Sequence, residues 1–223
     1  IDGGAFLLGA FHLAGDGALP DQFVETGGIG IEIARDLIRR AGEAGGTHRF
    51  MGFLGVLGLA GIDAGGLRHI TGAIFAADHV YKMDIEQMMQ KHMEQKADCT
   101  VAAYEVPSSE ASSFGCLETD KLGFVTQFLE KPKNPPEIPS KPGFSFISMG
   151  NYIFEREVLE EALVEDANDP NSSHDFGKDI LPKLHKSHKV FAYDFQSNVI
   201  PGNDRPYWRD VGTIKAYWHT WTY

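Results

Sequence analysis

Three things are scarce in this chain, and each scarcity closes off a class of protein. Cysteine is the first. Only Cys99 and Cys116 occur in 223 residues, too few for a disulfide framework and without metal-ligand spacing. Two free thiols in a reduced, cytoplasmic setting are the expectation. Positive charge is the second. Lys and Arg number 20 against 31 Asp and Glu, giving a formal net charge of −11 and a pI near 5.2. Such a field repels a phosphate backbone, so no nucleic-acid polymer is expected as a partner. A small anion is still admissible, because a few local Lys or Arg outweigh a distant field. Long apolar runs are the third. Residues 50–60 come nearest, but glycine breaks them and they fall short of the roughly 20 residues that cross a bilayer. No basic segment leads into an apolar one as in a secretory signal, and no membrane partner is expected. The chain opens at Ile1 rather than Met, the expectation for a piece of a longer protein.

What remains is ordinary globular material: 43% hydrophobic and 23% charged, in a length that suits one large domain or two small ones. No internal repeat or low-complexity tract interrupts it. Three zones separate by composition. Residues 1–72 hold most of the glycine and read as loops between short apolar segments. Their clearest element is a helix over 31–41, where Ile31, Ala34, Leu37, Ile38 and Ala41 recur at helical spacing. Residues 73–130 alternate: a buried strand at 73–76 and a helix over 83–96 with Ile85, Met88, Met89 and His92 along one side. A strand at 99–104 and strand-like content at 122–129 follow. The order strand, helix, strand predicts a parallel pairing of 73–76 with 99–104 in an α/β sheet. Residues 131–143 hold five prolines and form a loop. A buried strand is predicted at 144–154, and a helix at 157–165 with Val158, Leu159, Ala162 and Leu163 on its apolar side. A helical turn at 180–185 and a strand at 190–195 complete the pattern.

Four places carry chemistry. Asp78 directly follows an apolar strand, where an open α/β sheet collects ligands; it either holds a divalent cation that neutralises phosphate or N-caps a turn. Gly115 follows a Ser-rich loop and permits close approach of a ligand, unless it is a turn glycine. Glu130 and Lys131 close a strand before Pro132. The ammonium suits a phosphate and the carboxylate accepts from hydroxyls, with a solvated surface pair as the other reading. The stretch 207–213 packs aromatics, Arg209, Asp210 and a glycine turn together. Asp210 either joins Asp78 at a metal or pairs with Arg209. Two apparent motifs are rejected. Ser173, His174 and Asp175 are adjacent, so their side chains diverge and cannot relay a proton. Gly28-Ile29-Gly30-Ile31-Glu32-Ile33 starts like a dinucleotide fingerprint but lacks its third glycine, and reads as a helix-entry turn.

The order of these signals resembles one family over residues 73–219, the glucose-1-phosphate adenylyltransferases, or ADP-glucose pyrophosphorylases. Its members read GDH-hydrophobic-YKMD, then ADCT or ADVT, VP-x-x-EA-x-x-FG, EKP, SMG-x-Y-x-F, SS-x-DFGKDI and YWRDVGT-x-x-AYW. This chain has Asp78-His79-Val80-Tyr81-Lys82-Met83-Asp84, Ala97-Asp98-Cys99-Thr100 and Val106-Pro107. Glu110-Ala111, Phe114-Gly115 and Glu130-Lys131-Pro132 come next. Ser148-Met149-Gly150-Asn151-Tyr152-Ile153-Phe154, then 172–180, 207–213 and Ala216-Tyr217-Trp218 complete the run. The resemblance implies a three-layer, Rossmann-like nucleotidyltransferase fold with a mixed sheet. Residues 1–72 would be a divergent N-terminal part and 73–223 the sugar-phosphate part. The family's C-terminal β-helix has no counterpart here.

That resemblance implies an enzyme of glycogen and carbohydrate metabolism, making ADP-glucose and pyrophosphate from ATP and glucose 1-phosphate. Gly115, Glu130, Lys131 and Ser148 would meet glucose 1-phosphate, with Lys131 on the phosphate. Asp78 and Asp210 would hold Mg²⁺, so Asp78 and Lys131 count as catalytic. Homo- or hetero-oligomers are the implied assembly. Two departures stand out. The family's GG-x-G-x-RL loop, which cradles the triphosphate, is not found in residues 1–72, and Gly3-Gly4-Ala5 lacks the arginine. The glycine of GDH is Ala77 here. These motivate the alternative of a non-catalytic sugar-phosphate-binding subunit or a fragment without the triphosphate loop.

Overall fold

A computed structural model describes residues 54–62, 68–76, 79–200, 202, 206–211 and 218. The helix expected over 31–41 and the turn at 28–33 lie outside them. The elements are β1 (Leu54–Ile62), β2 (Arg68–Ala76), β3 (His79–Lys82), α1 (Ile85–Gln95), β4 (Cys99–Pro107), β5 (Gly115–Thr119), β6 (Val125–Glu130), β7 (Phe144–Glu155), α2 (Arg156–Asn168), α3 (Leu181–Leu184), β8 (Val190–Asp194) and β9 (Tyr207–Asp210). A π-helical turn, Phe176–Ile180, runs directly into α3.

Seven of the described strands form one mixed sheet in the order β1-β2-β7-β4-β8, with the β5–β6 hairpin attached through β5 to β7. Only β4 and β8 pair in parallel; the other pairs are antiparallel. This corrects one expectation. The strand at 73–76 does not pair with 99–104, because β7 lies between β2 and β4 and is antiparallel to both. The two run in the same direction but one place apart. A second difference is the hairpin of β1 and β2, which falls partly in the zone read as loops and carries β2 across residue 72.

Alternation along the central strands separates two cores. Ile74, Val101, Tyr152, Phe154, Val190 and Ala192 point to the face covered by α2, the π-turn and α3. Ala73, Phe75, Ala102, Met149, Ile153, Phe191 and Tyr193 point to the face covered by α1. A sheet buried on both faces needs strands that are apolar in continuous runs, which is what 101–103 and 190–193 are. The result is three layers.

The helices form where their caps and stripes direct. Asp84 sits in extended conformation and accepts from the Glu86 amide, opening α1. Met88 and His92 are fully buried on its inner side. His92 is not a stray polar group, since its Nδ1 lies 2.8 Å from Thr100 Oγ1. On α2, Leu159 is buried, and Val158, Ala162 and Leu163 pack against the same core. The proline-rich segment is a loop, tied back by Lys141, which pairs with Glu105 of β4 and lies over the Phe144 ring. No helix among the described residues is long and apolar enough to cross a membrane.

Candidate functional site

β7 is flanked on one edge by two strands in succession. β5 pairs with Phe146 and Ile147, and β2 takes over at Asn151. Residues 148–150 lie between them, beside the carboxyl end of β2, where an α/β sheet offers a ligand room. On the other edge, Val101 pairs Tyr152 and Ala103 pairs Ser148, so three residues of β7 bulge opposite Ala102. Gly150 sits inside the bulge at φ +71, a conformation that glycine adopts freely. A Cβ there would come within 3.0 Å of Ala76 Cβ and 3.2 Å of His79 Cε1. The end of β2 at Ala76 and the start of β3 at His79 therefore both lie against this gap.

Ser148 stands at its edge. Its Oγ accepts from the Gly150 amide at 3.2 Å and lies 3.4 Å from the Tyr152 hydroxyl. Burial pushes the Tyr152 phenol well above its ordinary range, opposed by that contact with Ser148. Extending the Cys116–Ile147 register by one residue puts Gly115 opposite Ser148. Gly115 is not a turn glycine: it opens β5 and pairs with Glu130 on β6. It is required for space. A Cβ at 115 would lie 2.8 Å from Phe128 Cζ and 3.1 Å from Glu130 Oε2.

Glu130 is divided between two neighbours. Its Oε1 faces Lys131 Nζ at 3.5 Å, while Oε2 lies against Gly115 and 3.2 Å from where a Cβ of Gly177 would be. Lys131 holds φ +48, the left-handed region that costs an L-residue about 1–2 kcal/mol. Its amide donates to Phe114 O at 3.1 Å, and its side chain is 61% exposed. Cys116, fully buried, follows Gly115 on β5. Burial, then the Glu130 charge, push its thiol up to about 11, so it is protonated and not a nucleophile.

The π-turn supplies a wall that the sequence reading missed. Asp175 Oδ1 accepts from the Gly177 and Lys178 amides at 2.9 and 3.0 Å, Phe176 stacks on Tyr152 at 5.5 Å, and Gly177 thereby reaches Glu130. The DFGKDI run was the available signal, but nothing in it shows which side chain it meets. Ser173, His174 and Asp175 diverge as expected. Ser173 Oγ donates to Asp179 Oδ2, His174 Nδ1 lies 2.7 Å from Asp166 Oδ2, and Asp175 caps the turn.

β3 and β9 form a separate antiparallel ribbon. Asp210 is opposite His79, with Trp208 opposite Tyr81. The Trp208 ring sits 5.3 Å from His79 and 5.5 Å from Tyr104. A clasp of amides fixes where the chain turns toward β9. Asn198 accepts from the Asp84 amide and donates to Asp84 O and Tyr193 Oη, while Gln87 bonds both Val199 N and Val199 O. Asp210 is exposed and sits across from the residue that follows Asp78. Asp78, Ala77, Gly212 and Thr213 lie outside the described residues, and among those described no group of three or more His, Cys, Asp or Glu could hold a metal ion. The coordinates thus bring Gly115, Glu130 and Lys131 into one cluster with Ser148 adjoining, and place Asp210 on the ribbon that covers Gly150.

A cavity lies elsewhere. It measures about 360 Å³, is lined by Glu118, Thr126, Gln127, Pro182, His185 and Lys186, and shares only Phe128 with this cluster. Burial and then the Lys186 charge hold the His185 imidazole below its ordinary pKa. Its Lys186 charge is balanced by Glu118, which leaves no excess cation for a phosphate, and it is the weaker candidate despite its size.

Glucose-1-phosphate adenylyltransferase 1 of Vibrio parahaemolyticus is 56% identical over 146 residues, 65% of this chain and 36% of that protein. The glucose-1-phosphate adenylyltransferases of Photobacterium profundum and Thermus thermophilus are 55% and 50% identical over 65% and 66% of the chain. The chain spans about a third of the length of these curated relatives. Among solved structures, HddC from Yersinia pseudotuberculosis overlays 67% of this chain and 53% of its own at 19% identity and a TM-score of 0.47, a likeness too loose to argue from. The model of the nucleotidyl transferase family matches residues 63–222, well over half of the sequence. On that match, and with a mixed three-layer α/β sheet beneath it, the chain belongs to the nucleotidyl transferase family.

Proposed function

We propose that this chain carries the sugar-phosphate half of a cytoplasmic glucose-1-phosphate adenylyltransferase, which makes ADP-glucose and pyrophosphate for glycogen or starch synthesis. Residues 73–223 would be that half, and 1–72 a divergent N-terminal part. The observation that carries the reading is the division of Glu130 between Lys131 and the two glycines, with Ser148 adjoining. An ammonium and an acceptor-only carboxylate side by side suit a ligand with a phosphate at one end and hydroxyls at the other. Relatives near 55% identity bear names with that substrate.

In this reading Lys131 neutralises the phosphate, Glu130 and Ser148 hold the sugar, and Gly115 lets it approach the backbone. A phosphate oxygen of glucose 1-phosphate bonds to the α-phosphorus of ATP, and the bond from that phosphorus to pyrophosphate breaks. The protein positions and neutralises; no covalent enzyme intermediate forms. Asp78 and Asp210, both hard oxygen donors, would hold Mg²⁺, which supplies charge neutralisation at the phosphates. Fit is supported by Asp210 alone, which is exposed and opposite the residue next to Asp78.

A second reading follows from residues 1–72, which contain no GG-x-G-x-RL run: a chain that binds glucose 1-phosphate without turnover. One experiment separates them. With Mg²⁺, ATP and glucose 1-phosphate, pyrophosphate release above background supports the enzyme. Calorimetric binding of glucose 1-phosphate with no pyrophosphate supports the binder. No binding at all removes both.

A further inference from the structure

Gly177 has no backbone reason to be glycine. Its φ is not positive, and it sits in a helical turn where alanine is the better residue. What glycine provides is room. A Cβ at 177 would lie 3.2 Å from Glu130 Oε2, 3.4 Å from Asp175 Oδ1 and 3.7 Å from Phe128 Cε1. Gly115 makes the matching space on the opposite side of the same oxygen. The carboxylate oxygen is thus seated beside two positions that lack a side chain, Gly115 on β5 and Gly177 on the π-turn, with its other oxygen toward Lys131.

We propose that Gly177 is a positioning residue for Glu130, and through it sets how well the site distinguishes a sugar phosphate from a bare phosphate. The inference rests on the sugar-phosphate reading above. A hydroxyl is recognised only if the acceptor oxygen is aimed at it, since hydrogen bonds weaken steeply with misalignment. A methyl group at 177 contacts the far end of a flexible side chain, so the turn keeps its shape and Glu130 gives way. The methyl group would meet Asp175 Oδ1 at 3.4 Å, an ordinary contact, so the cap that this oxygen makes to the Gly177 and Lys178 amides is kept. Lys131 keeps its charge, and with it the phosphate. Position 115 is the less clean test, because a methyl group there strikes the Phe128 ring at 2.8 Å.

The test measures Gly177→Ala, Glu130→Gln and the double variant by calorimetry on the full chain, with glucose 1-phosphate and with orthophosphate. Wild type is expected to bind the sugar phosphate more tightly. In Gly177→Ala that advantage should fall about tenfold, the loss of one charge-assisted hydrogen bond, while orthophosphate affinity stays as in wild type and the circular dichroism melt does not fall. In the Glu130→Gln background the 177 substitution should have no further effect. A purely structural role would instead weaken both ligands together and add to Glu130→Gln, and either result overturns the proposal. Unchanged sugar-phosphate binding in Gly177→Ala overturns it too. If wild type itself shows no preference for the sugar phosphate, the sugar-phosphate reading fails first, so the two failures are distinguishable.

Discussion

Lys131 lets backbone strain and ligand binding be measured on the same residue. At φ +48 an L-side chain costs about 1–2 kcal/mol over glycine, and glycine returns about 0.5–1 of that through the extra freedom of its unfolded chain. Lys131→Ala keeps the strain; Lys131→Gly removes it. Both lose the contact with Glu130, worth less than about 1 kcal/mol for a lysine 61% exposed at 3.5 Å. Lys131→Gly should therefore be more stable than Lys131→Ala by about 0.5–1 kcal/mol, or about 2 °C in melting temperature for a chain of this size. Urea titration of the pair reads the difference directly. Both variants should lose glucose 1-phosphate affinity alike, by about tenfold to a hundredfold for one charged hydrogen bond. If glycine is the less stable of the two, residue 131 is not left-handed in solution. If affinity survives in either, the phosphate is not on Lys131.

Two further substitutions test the surroundings. Gly115→Ala should destabilise the fold by about 1–3 kcal/mol in urea, since the Phe128 ring is 5% exposed and must move to admit the methyl group; an unchanged midpoint would mean the ring is not there. Burial, then the Glu105 charge, raise the pKa of Asp194, so the native state binds its proton more readily than the unfolded chain. Stability is then lost as pH rises from the ordinary aspartate range through the raised value. Asp194→Asn keeps an acceptor for the Gln196 amide, and should melt above wild type at about pH 7 and converge with it below about pH 4; a gap that ignores pH would refute the assignment.

The elements were legible where burial dictates composition. Strands covered on both faces are apolar over most of their length, and 99–104, 144–154 and 190–195, interrupted only by Thr100, Ser145, Ser148, Asn151 and Asp194, announce themselves in that way. The stripe of Leu159 with Val158, Ala162 and Leu163 marks α2 for the same reason. Neighbour relations were not legible, because they depend on contacts far apart in the chain. Nothing in residues 73–76 states that β7, some 75 residues later, will pair there in place of β4. The pairing follows from the β5–β6 hairpin and the proline-rich loop, which return the chain antiparallel beside β2. β5 itself escaped notice because Gly115-Cys116-Leu117-Glu118-Thr119 is short, opens on glycine and alternates over only two turns of the pattern.

At the site, residue types were legible and spatial reasons were not. Glu130, Lys131, Ser148 and Gly115 stood out by order and chemistry, yet a sequence cannot tell a glycine kept for its dihedral from one kept for space. Gly150 is the first kind, and Gly115 and Gly177 are the second. Local propensity alone would put glycine at 131, where the backbone is left-handed, and a better helix former at 177, where it is helical. The chain does the reverse at both positions, and both touch the same carboxylate: Lys131 at Oε1, Gly177 at Oε2. Two independent departures from local preference that converge on one side chain are expected where that side chain must be aimed rather than merely accommodated. Glu130 is therefore the group whose direction the surrounding fold is built to hold.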